Sequence, residues 1–235
     1  MTTTHTAHQL KIRHLGRLDY QAALDIQTAT RDALIARRPH RQIDNRTGAT
    51  HTLLLLEHDP VVTLGRRGDR DGILAPDALR SAGIDVTPTN RGGNVTYHGP
   101  GQLVAYPILD LRRLQLDVHR YVEGLESTIL RLLSTYGIDA RRDPDERGIF
   151  TDRGKIASLG VHISRWVTMH GIALNVDPDM NHWACIAPCG RPDITATSIA
   201  VHKAAHGEIP PTLDAVAGHF TAAFLAEFGL QSMAP

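Results

Sequence analysis

Cys189 stands in the run Ala187-Pro188-Cys189-Gly190, where proline fixes one neighbour and glycine leaves the other side of the thiol uncrowded. That is a mounting suited to a nucleophile. An unperturbed thiol is only a few per cent thiolate at neutral pH, so the role requires a cation or a base beside it. Lys155 can supply one: it is one of three lysines in the chain, follows Gly154 at the start of K-I-A-S-L-G, and unlike arginine can trade protons once desolvated. His98 would make the commoner Cys-His pair, and His170 in M-H-G-I-A-L is a third source. Residue types alone leave the three open, beside plainer readings in which a lone cysteine is a small buried hydrophobe and a hairpin lysine is solvated. Cys185, between Ala184 and Ile186, suits the buried role better.

His98 belongs to the most distinctive stretch of the chain, Arg91 to Leu103, RGGNVTYHGPGQL, in which four glycines and a proline surround a short extended run. Glycine loses more conformational freedom on folding than any other residue, and its usual return is positive φ or close approach of backbone to a ligand. Arg91 is a permanent cation, and the adjacent Tyr97 and His98 should point to opposite faces of an extended segment. From glycine content alone, two linked β-turns joining two strands are the favoured reading.

These residues need elements to position them. Asp19 is placed to cap a helix running to about Arg37 and stopped by Pro39. Leu53 to Leu56 is a continuous apolar run fit for a buried strand, and Asp59-Pro60 turns it into Val61 to Leu64. A brief helix is expected at Pro76 to Ser81, leading to Val86, then a strand over Gln102 to Leu111 whose Pro107 implies an edge position or a bulge. Asp117 caps a helix with an apolar stripe of Val118, Val122, Leu125, Ile129, Leu132, Leu133 and Tyr136, closed by Gly137; the stripe marks it as core. Residues 148 to 176 read as three strands with turns at Asp152-Arg153-Gly154 and Ser164-Arg165, and a helix over Thr212 to Phe228 ends at Gly229. Without regular βαβ alternation this is an α+β fold with a mixed, largely antiparallel sheet flanked by helices, expected to form a single domain over 1-235.

Composition narrows function. Lys plus Arg and Asp plus Glu are 25 each in 235 residues, so there is no global basic field, and nucleic acid is not expected as a partner. Arg66, Arg67 and Arg70 do cluster beside Gly65 and Gly68, which would suit an acidic partner or simply a solvated loop. No run approaches the roughly twenty apolar residues of a spanning helix, and MTTTHTAHQLKIRH lacks a secretion signal's apolar core, so a cytoplasmic protein with no membrane association is expected. The two cysteines, spaced C-x3-C, argue against a disulfide framework and a structural zinc, and the 14 histidines show no ligand spacing, so no metal is expected.

With RGGNVTYHGPGQL, KIASLG, HGIALNV and APCG in this order, the chain closely resembles the octanoyltransferase (lipoyl(octanoyl) transferase, LipB) family from about Leu18 to Ala200. The resemblance implies a fold like the catalytic domains of lipoate and biotin protein ligases and an acyltransferase needing no cofactor. It implies octanoyl-acyl carrier protein as donor, and as acceptors the lipoyl domains of 2-oxoacid dehydrogenase complexes and the glycine cleavage H protein. Cys189 matches the acyl-thioester nucleophile and Lys155 the lysine that lowers its pKa. The substrate-contacting segments fall on Arg91, Gly92, Gly93, Asn94, Val95, Thr96, Tyr97 and His98, on Ser158, Leu159 and Gly160, and on Gly171, Ile172 and Ala173. Asn94 departs from the glutamine or lysine more usual there, which puts fine acyl-chain contacts in doubt. An ATP-dependent lipoate or octanoate ligase on the same fold, and a non-catalytic carrier-protein binding module, are the competing readings.

Overall fold

The computed structural model describes residues 8–38, 49–191 and 193–233, with Cys189 described by its backbone alone. Pro39 and the first seven residues, on which some of the expectations above fall, lie outside the described residues. In chain order the elements are β1 (Gln9–Leu18), α1 (Tyr20–Ala36), β2 (Thr50–His58), β3 (Val61–Leu64), α2 (Pro76–Ser81), β4 (Asp85–Pro88), β5 (Val95–His98), β6 (Gln102–Ile108) and α3 (Val118–Thr135). There follow β7 (Arg141–Arg142), β8 (Ile149–Thr151), β9 (Gly154–Ser164), β10 (Val167–Asn175), α4 (Ile199–Ala205), α5 (Leu213–Phe228) and β11 (Gln231–Ser232).

The main sheet has the order β11-β1-β2-β6-β10-β9-β8-β7, parallel where β1 meets β11 and β2 and antiparallel elsewhere. A smaller sheet, β4-β3-β5, stands beside it. The Leu53–Leu56 run is apolar throughout because β2 is covered on both faces. Leu53 and Leu55 join the cluster under α3 and α5, while Leu54 and Leu56 join the one under α1. Each leucine buried this way contributes roughly 2 kcal/mol. The helices start where their caps are: the Asp19 carboxylate accepts from the Gln21 and Ala22 amides, that of Asp117 from Arg120, and the Thr212 hydroxyl from Ala215. Gly229, in left-handed conformation at φ 61°, ends α5. No helix among the described residues is long and apolar enough to cross a membrane.

Three readings need correction. Pro107 lies neither on an edge nor at a register shift: β6 is central, and the register pairing Ile172 with Ala105 resumes unchanged at Val167 opposite Asp110. Between these points the ladder opens. Gly171 makes room, since a Cβ there would abut the Ala105 carbonyl and come within 2.8 Å of Pro107 Cδ, and the Gln27 side chain accepts from the His170 amide at 2.7 Å. The second hairpin turn falls at Arg165-Trp166, one residue later than expected, both at positive φ of 50° and 64°. Val118, counted in the apolar stripe of α3, is 46% exposed. The strands β1, β7 and β11 and the helix α4 were not read from the sequence.

Candidate active site

Beyond Ala157, β9 loses its partner β8, which pairs only with residues 154–157, and leaves a free edge. The glycine-rich loop docks there: the Gly92 amide donates to the Val161 carbonyl at 2.9 Å. Close approach is possible because Gly160 has no side chain; a Cβ there would come within 2.8 Å of the Gly92 carbonyl oxygen. Farther along, the Thr96 hydroxyl donates to Ser158 Oγ at 3.3 Å, tying β5 to β9.

The space enclosed between β5, β9 and β10 is a cavity of about 200 Å3. Thirteen of the residues carried over from the resemblance line it: Arg91, Gly93, Asn94, Val95, Thr96, His98, Lys155, Ser158, Leu159, Gly160, Gly171, Ile172 and Ala173. Gly92 lies outside its wall and lines an adjoining groove instead. Tyr97 turns away, as the alternation of an extended run dictates, placing its hydroxyl 2.8 Å from His182 Nδ1 and its ring edge-on to Trp183. A cavity of about 150 Å3 suffices for a benzene ring, so this one accommodates a short acyl chain and little more.

Lys155 is buried, 5% exposed, at the start of β9. Its Nζ donates to the Arg147 carbonyl at 2.9 Å and lies 5.5 Å from the Phe150 ring centroid. Arg147 is held in turn from α3: the carboxylate of Glu126, 2% exposed, pairs with Arg142 at 3.0 Å and with Arg147 at 3.7 Å. On its other side, the Lys155 backbone donates to Thr195 O and accepts from the Thr197 amide, both at 2.9 Å. The segment leading on from Cys189 is thereby sewn to the lysine strand.

Pro188–Gly190 forms a single 3-10 turn, anchored by the Ala187 amide on the Gly72 carbonyl at 2.8 Å. Gly190, at φ 74°, packs so closely on Asn94 that a Cβ would collide with the Asn94 amide nitrogen. The backbone of Cys189 thus borders the cavity wall at Asn94, while its side chain lies outside the described residues. Cys185 is half-buried, with Sγ 3.9 Å from the Asn181 carbonyl.

The two histidines weighed as activators are both in the wall and both neutral. Asn175 Oδ1 and the Tyr97 carbonyl accept from Gln102 Nε2, at 2.9 and 3.1 Å, which turns Gln102 Oε1 to His98 Nδ1 at 2.7 Å and makes that nitrogen the donor. Burial, then the neighbouring His58 and Arg91, hold His98 well below the ordinary imidazole pKa. His170 is pushed down to about 3 by burial and by Arg91, with Nε2 donating to Asn90 Oδ1 at 2.7 Å. Neither offers a cation to a thiolate.

Arg91 both lines the cavity and braces its wall. Its Nε and Nη2 donate to Thr63 Oγ1 at 3.1 and 2.8 Å, Nη2 also to Thr63 O at 2.7 Å, and Nη1 to Gly92 O at 3.0 Å, clamping the loop to β3. Arg67, Tyr106, Asp145, Glu146 and Arg147 also line it, and of these only Arg67 was picked out from the sequence. The arginine cluster of residues 66–70 was noticed there, but nothing in its composition tied it to this wall. Among the described residues no group of His, Cys, Asp and Glu could hold a metal ion.

The mixed sheet with its flanking helices is the fold of lipoate protein ligases. The fold matches that of a putative lipoate protein ligase from T. acidophilum with bound lipoic acid, with a TM-score of 0.68 at 15% identity over 97% of this chain and 88% of the other. Residues 26–225 match the family described as lipoyl protein ligase A/B catalytic domain, and the chain belongs to that family. Among its relatives are an octanoyltransferase of Solibacter usitatus, 48% identical over 94% of both chains, and one of Geobacter metallireducens, 44% identical over 90% of this chain and 92% of the other.

Proposed function

We propose that the protein is an octanoyltransferase, moving an octanoyl group from octanoyl-acyl carrier protein to a lysine of lipoyl domains, including those of 2-oxoacid dehydrogenase complexes and the glycine cleavage H protein, in the cytoplasm. The observation that carries the reading is a cavity of about 200 Å3 whose wall includes buried Lys155 and Asn94, the residue against which Gly190 of the Cys189 turn packs. The octanoyltransferases at 48% and 44% identity support it.

In the first half-reaction Cys189 Sγ attacks the thioester carbonyl carbon. The bond from that carbon to the carrier's sulfur breaks, and the departing thiolate takes the proton that Cys189 gave up. Lys155 relays that proton and balances charge at the thiolate. The acyl chain lies between Leu159, Ile172, Ala173 and the glycine backbone of the wall. In the second half-reaction the acceptor lysine's neutral amine attacks the enzyme thioester, C–N forms, C–Sγ breaks, and the amine's proton returns to the thiolate. Thioester exchange is nearly isoenergetic and amide formation from a thioester is downhill, so no ATP enters. The Gly190 and Arg191 amides already donate to the Ala187 and Pro188 carbonyls at 2.9 and 3.0 Å, so the oxyanion donor is assigned to the Ser158 to Gly160 stretch of β9.

The test is to incubate octanoyl-acyl carrier protein with the enzyme in the absence of ATP and look for a hydroxylamine-sensitive octanoyl adduct by mass. An adduct on the parent that is lost in Cys189→Ser is expected; no adduct, or an equal one on the variant, refutes the assignment. A dependence on ATP and free octanoate would indicate a ligase instead.

A further inference from the structure

The free edge of β9 offers donors as well as acceptors, and the strand pairing decides which residues own them. A strand residue turns its N–H and C=O to one side, and the side alternates along the chain. Val161 turns its carbonyl to the free edge, where Gly92 donates to it, and His170, opposite Val161 in β10, gives its amide to Gln27 instead of to β9. Leu159, two residues back and opposite Ile172, turns the same way as Val161, while Ser158 and Gly160 direct their amides to Ala173 and Gly171. The Leu159 carbonyl accordingly faces the glycine loop, 3.9 Å from where a Cβ on Gly93 would lie. Because β8 stops pairing at Ala157, the Leu159 amide beside that carbonyl has no acceptor among the described residues. It belongs to a buried residue in the wall of the acyl cavity, where an unmatched N–H is uncommon.

Asn94 follows Gly93 and lines the same cavity. The Val95 amide donates to Asn94 Oδ1 at 2.9 Å, which fixes the way the carboxamide faces, since the reverse would set N–H against N–H. Nδ2 is thereby turned to Gly190, into the space a Cβ there would need, and so stands one Cα step, about 3.8 Å, from Cys189 along the turn. Neither of its hydrogens meets an acceptor among the described residues. Several other polar groups of the wall are committed or of the wrong sense. Lys155 Nζ donates to Arg147 O, the Thr96 hydroxyl to Ser158 and the Tyr106 hydroxyl to His58. The neutral His98 and His170 each direct their one N–H to Gln102 or Asn90 and keep only an acceptor.

Two unmatched N–H donors thus share one cavity wall, one on the strand along which the acyl chain lies and the other against the nucleophile's turn. They suit an oxygen that becomes an anion there. We infer that Asn94 Nδ2 and the Leu159 amide together form the oxyanion hole, which makes Asn94 a catalytic residue. This rests on the transfer reading proposed above. As Cys189 Sγ bonds to the thioester carbon, the C=O π pair moves onto oxygen and the two N–H groups take up its charge; as the pair returns, the carbon expels the carrier's sulfur. The second half-reaction passes through the same oxygen, with the acceptor amine attacking and Cys189 Sγ leaving. Asn94 therefore serves both halves, unlike a residue that seats only the carrier or only the acceptor.

The experiment uses the full-length enzyme and octanoyl-acyl carrier protein, and times adduct formation and its discharge to a lipoyl domain as separate single turnovers. Asn94→Asp keeps the volume and the oxygen that Val95 needs but exchanges the donor for a carboxylate oxygen; Asn94→Ala removes both groups and adds no charge. Asn94→Ala should slow each step by about a hundred- to a thousandfold, the cost of one oxyanion donor, with KM for the carrier little changed. Asn94→Asp should be slowed at least as much. In Asn94→Ala the pH midpoint of acylation should hold while the plateau falls. Misfolding would reduce the amount of adduct formed and leave its rate constant alone, so the rate constants carry the test. Asn94→Asp with the parent's rate constants would mean that only the Val95 contact matters, and would overturn the assignment. So would a loss confined to one half-reaction, or a shifted midpoint under an intact plateau. No adduct on the parent would sink the transfer reading itself, whereas an adduct formed at the parent's rate by both variants would sink the role of Asn94 alone.

Discussion

The stability of this protein should depend steeply on pH below neutrality, because four histidines are buried in neutral form. His51, His58, His98 and His170 are 0%, 0%, 5% and 1% exposed. Burial is the largest cause of depression in each: His51 and His170 are pushed down to about 3, His58 to about 4, and His98 well below the ordinary value. Their hydrogen bonds agree. His51 Nδ1 accepts the Asp110 amide at 3.2 Å, and protonating it would set donor against donor. His58 donates from Nδ1 to the Leu18 carbonyl, leaving Nε2 to accept from the Tyr106 hydroxyl at 2.8 Å. In the unfolded chain each imidazole titrates near 6.5. Between that value and the depressed folded one the unfolded state binds more protons, so stability is fully present above about 6.5 and is lost as pH falls. At pH 5 each histidine costs about 2 kcal/mol, and four together on the order of 6–8 kcal/mol, comparable with the whole stability of a typical domain. Urea unfolding at pH 7 and pH 5 should therefore show the midpoint collapsing across that interval. His51→Asn, whose amide oxygen can replace Nδ1 as acceptor, should lose about 2 kcal/mol less than the parent between the two pH values, even if it is less stable at pH 7. A parent that loses under about 1 kcal/mol over the interval, or a His51→Asn variant with the parent's slope, would refute the neutral-histidine reasoning.

Lys155→Met, close in volume but unable to move a proton, should slow formation of the Cys189 adduct by about 10²–10⁴-fold in single-turnover mass measurements while leaving thermal unfolding little changed. Glu126→Gln should remove the carboxylate that fixes the arginine whose carbonyl holds Lys155. Because Arg142 and Arg147 are 45% and 60% exposed and can rehydrate, the stability loss should be about 1–2 kcal/mol by urea titration, below the range for a fully buried pair. Gly171→Ala should cost about 1–3 kcal/mol, seen as a lowered Tm, since its Cβ meets the Ala105 carbonyl and Pro107, backbone and ring that cannot swing aside.

Elements with a covered face and a cap were readable. The Leu53–Leu56 run, the Asp117 cap and the Thr212 to Gly229 helix needed only local chemistry, and the structure places them within a residue or two of expectation. What escaped was set by distant partners. β1 alternates Leu10 and Ile12 with basic residues, a weak signal by itself, and becomes a strand because β2 and β11 flank it. Pro107 looked wrong for a central strand until Gly171, 64 residues away in sequence, removed the side chain it would strike. At the site, Cys189, Lys155 and the glycine loop stood out by residue type. Arg147 did not, because its contribution to Lys155 is a backbone carbonyl, which every residue has. Nor could sequence separate Tyr97 from its neighbours as the residue that faces away, beyond the alternation that predicts one of Tyr97 and His98 must.

The glycine-rich stretch also acquires a purpose different from direct substrate contact. A strand edge left free by the short β8 is where another chain segment can add, and Arg91 to Asn94 add there with one amide on Val161, a mode that demands no side chain at Gly160 and a tight loop at Gly92-Gly93. The carbonyls of that loop then face outward and are taken up by Gly65, Arg66 and Arg67, so that the loop is strapped from both sides with Arg91 locked across it on Thr63. Replacing either glycine would disturb the cavity wall and, through the strap, Arg67, which lines the same cavity. The rigidity of the acyl pocket therefore originates in this double strap, and a glycine replacement in the loop should impair acyl-chain positioning, read as a raised KM for the octanoyl donor.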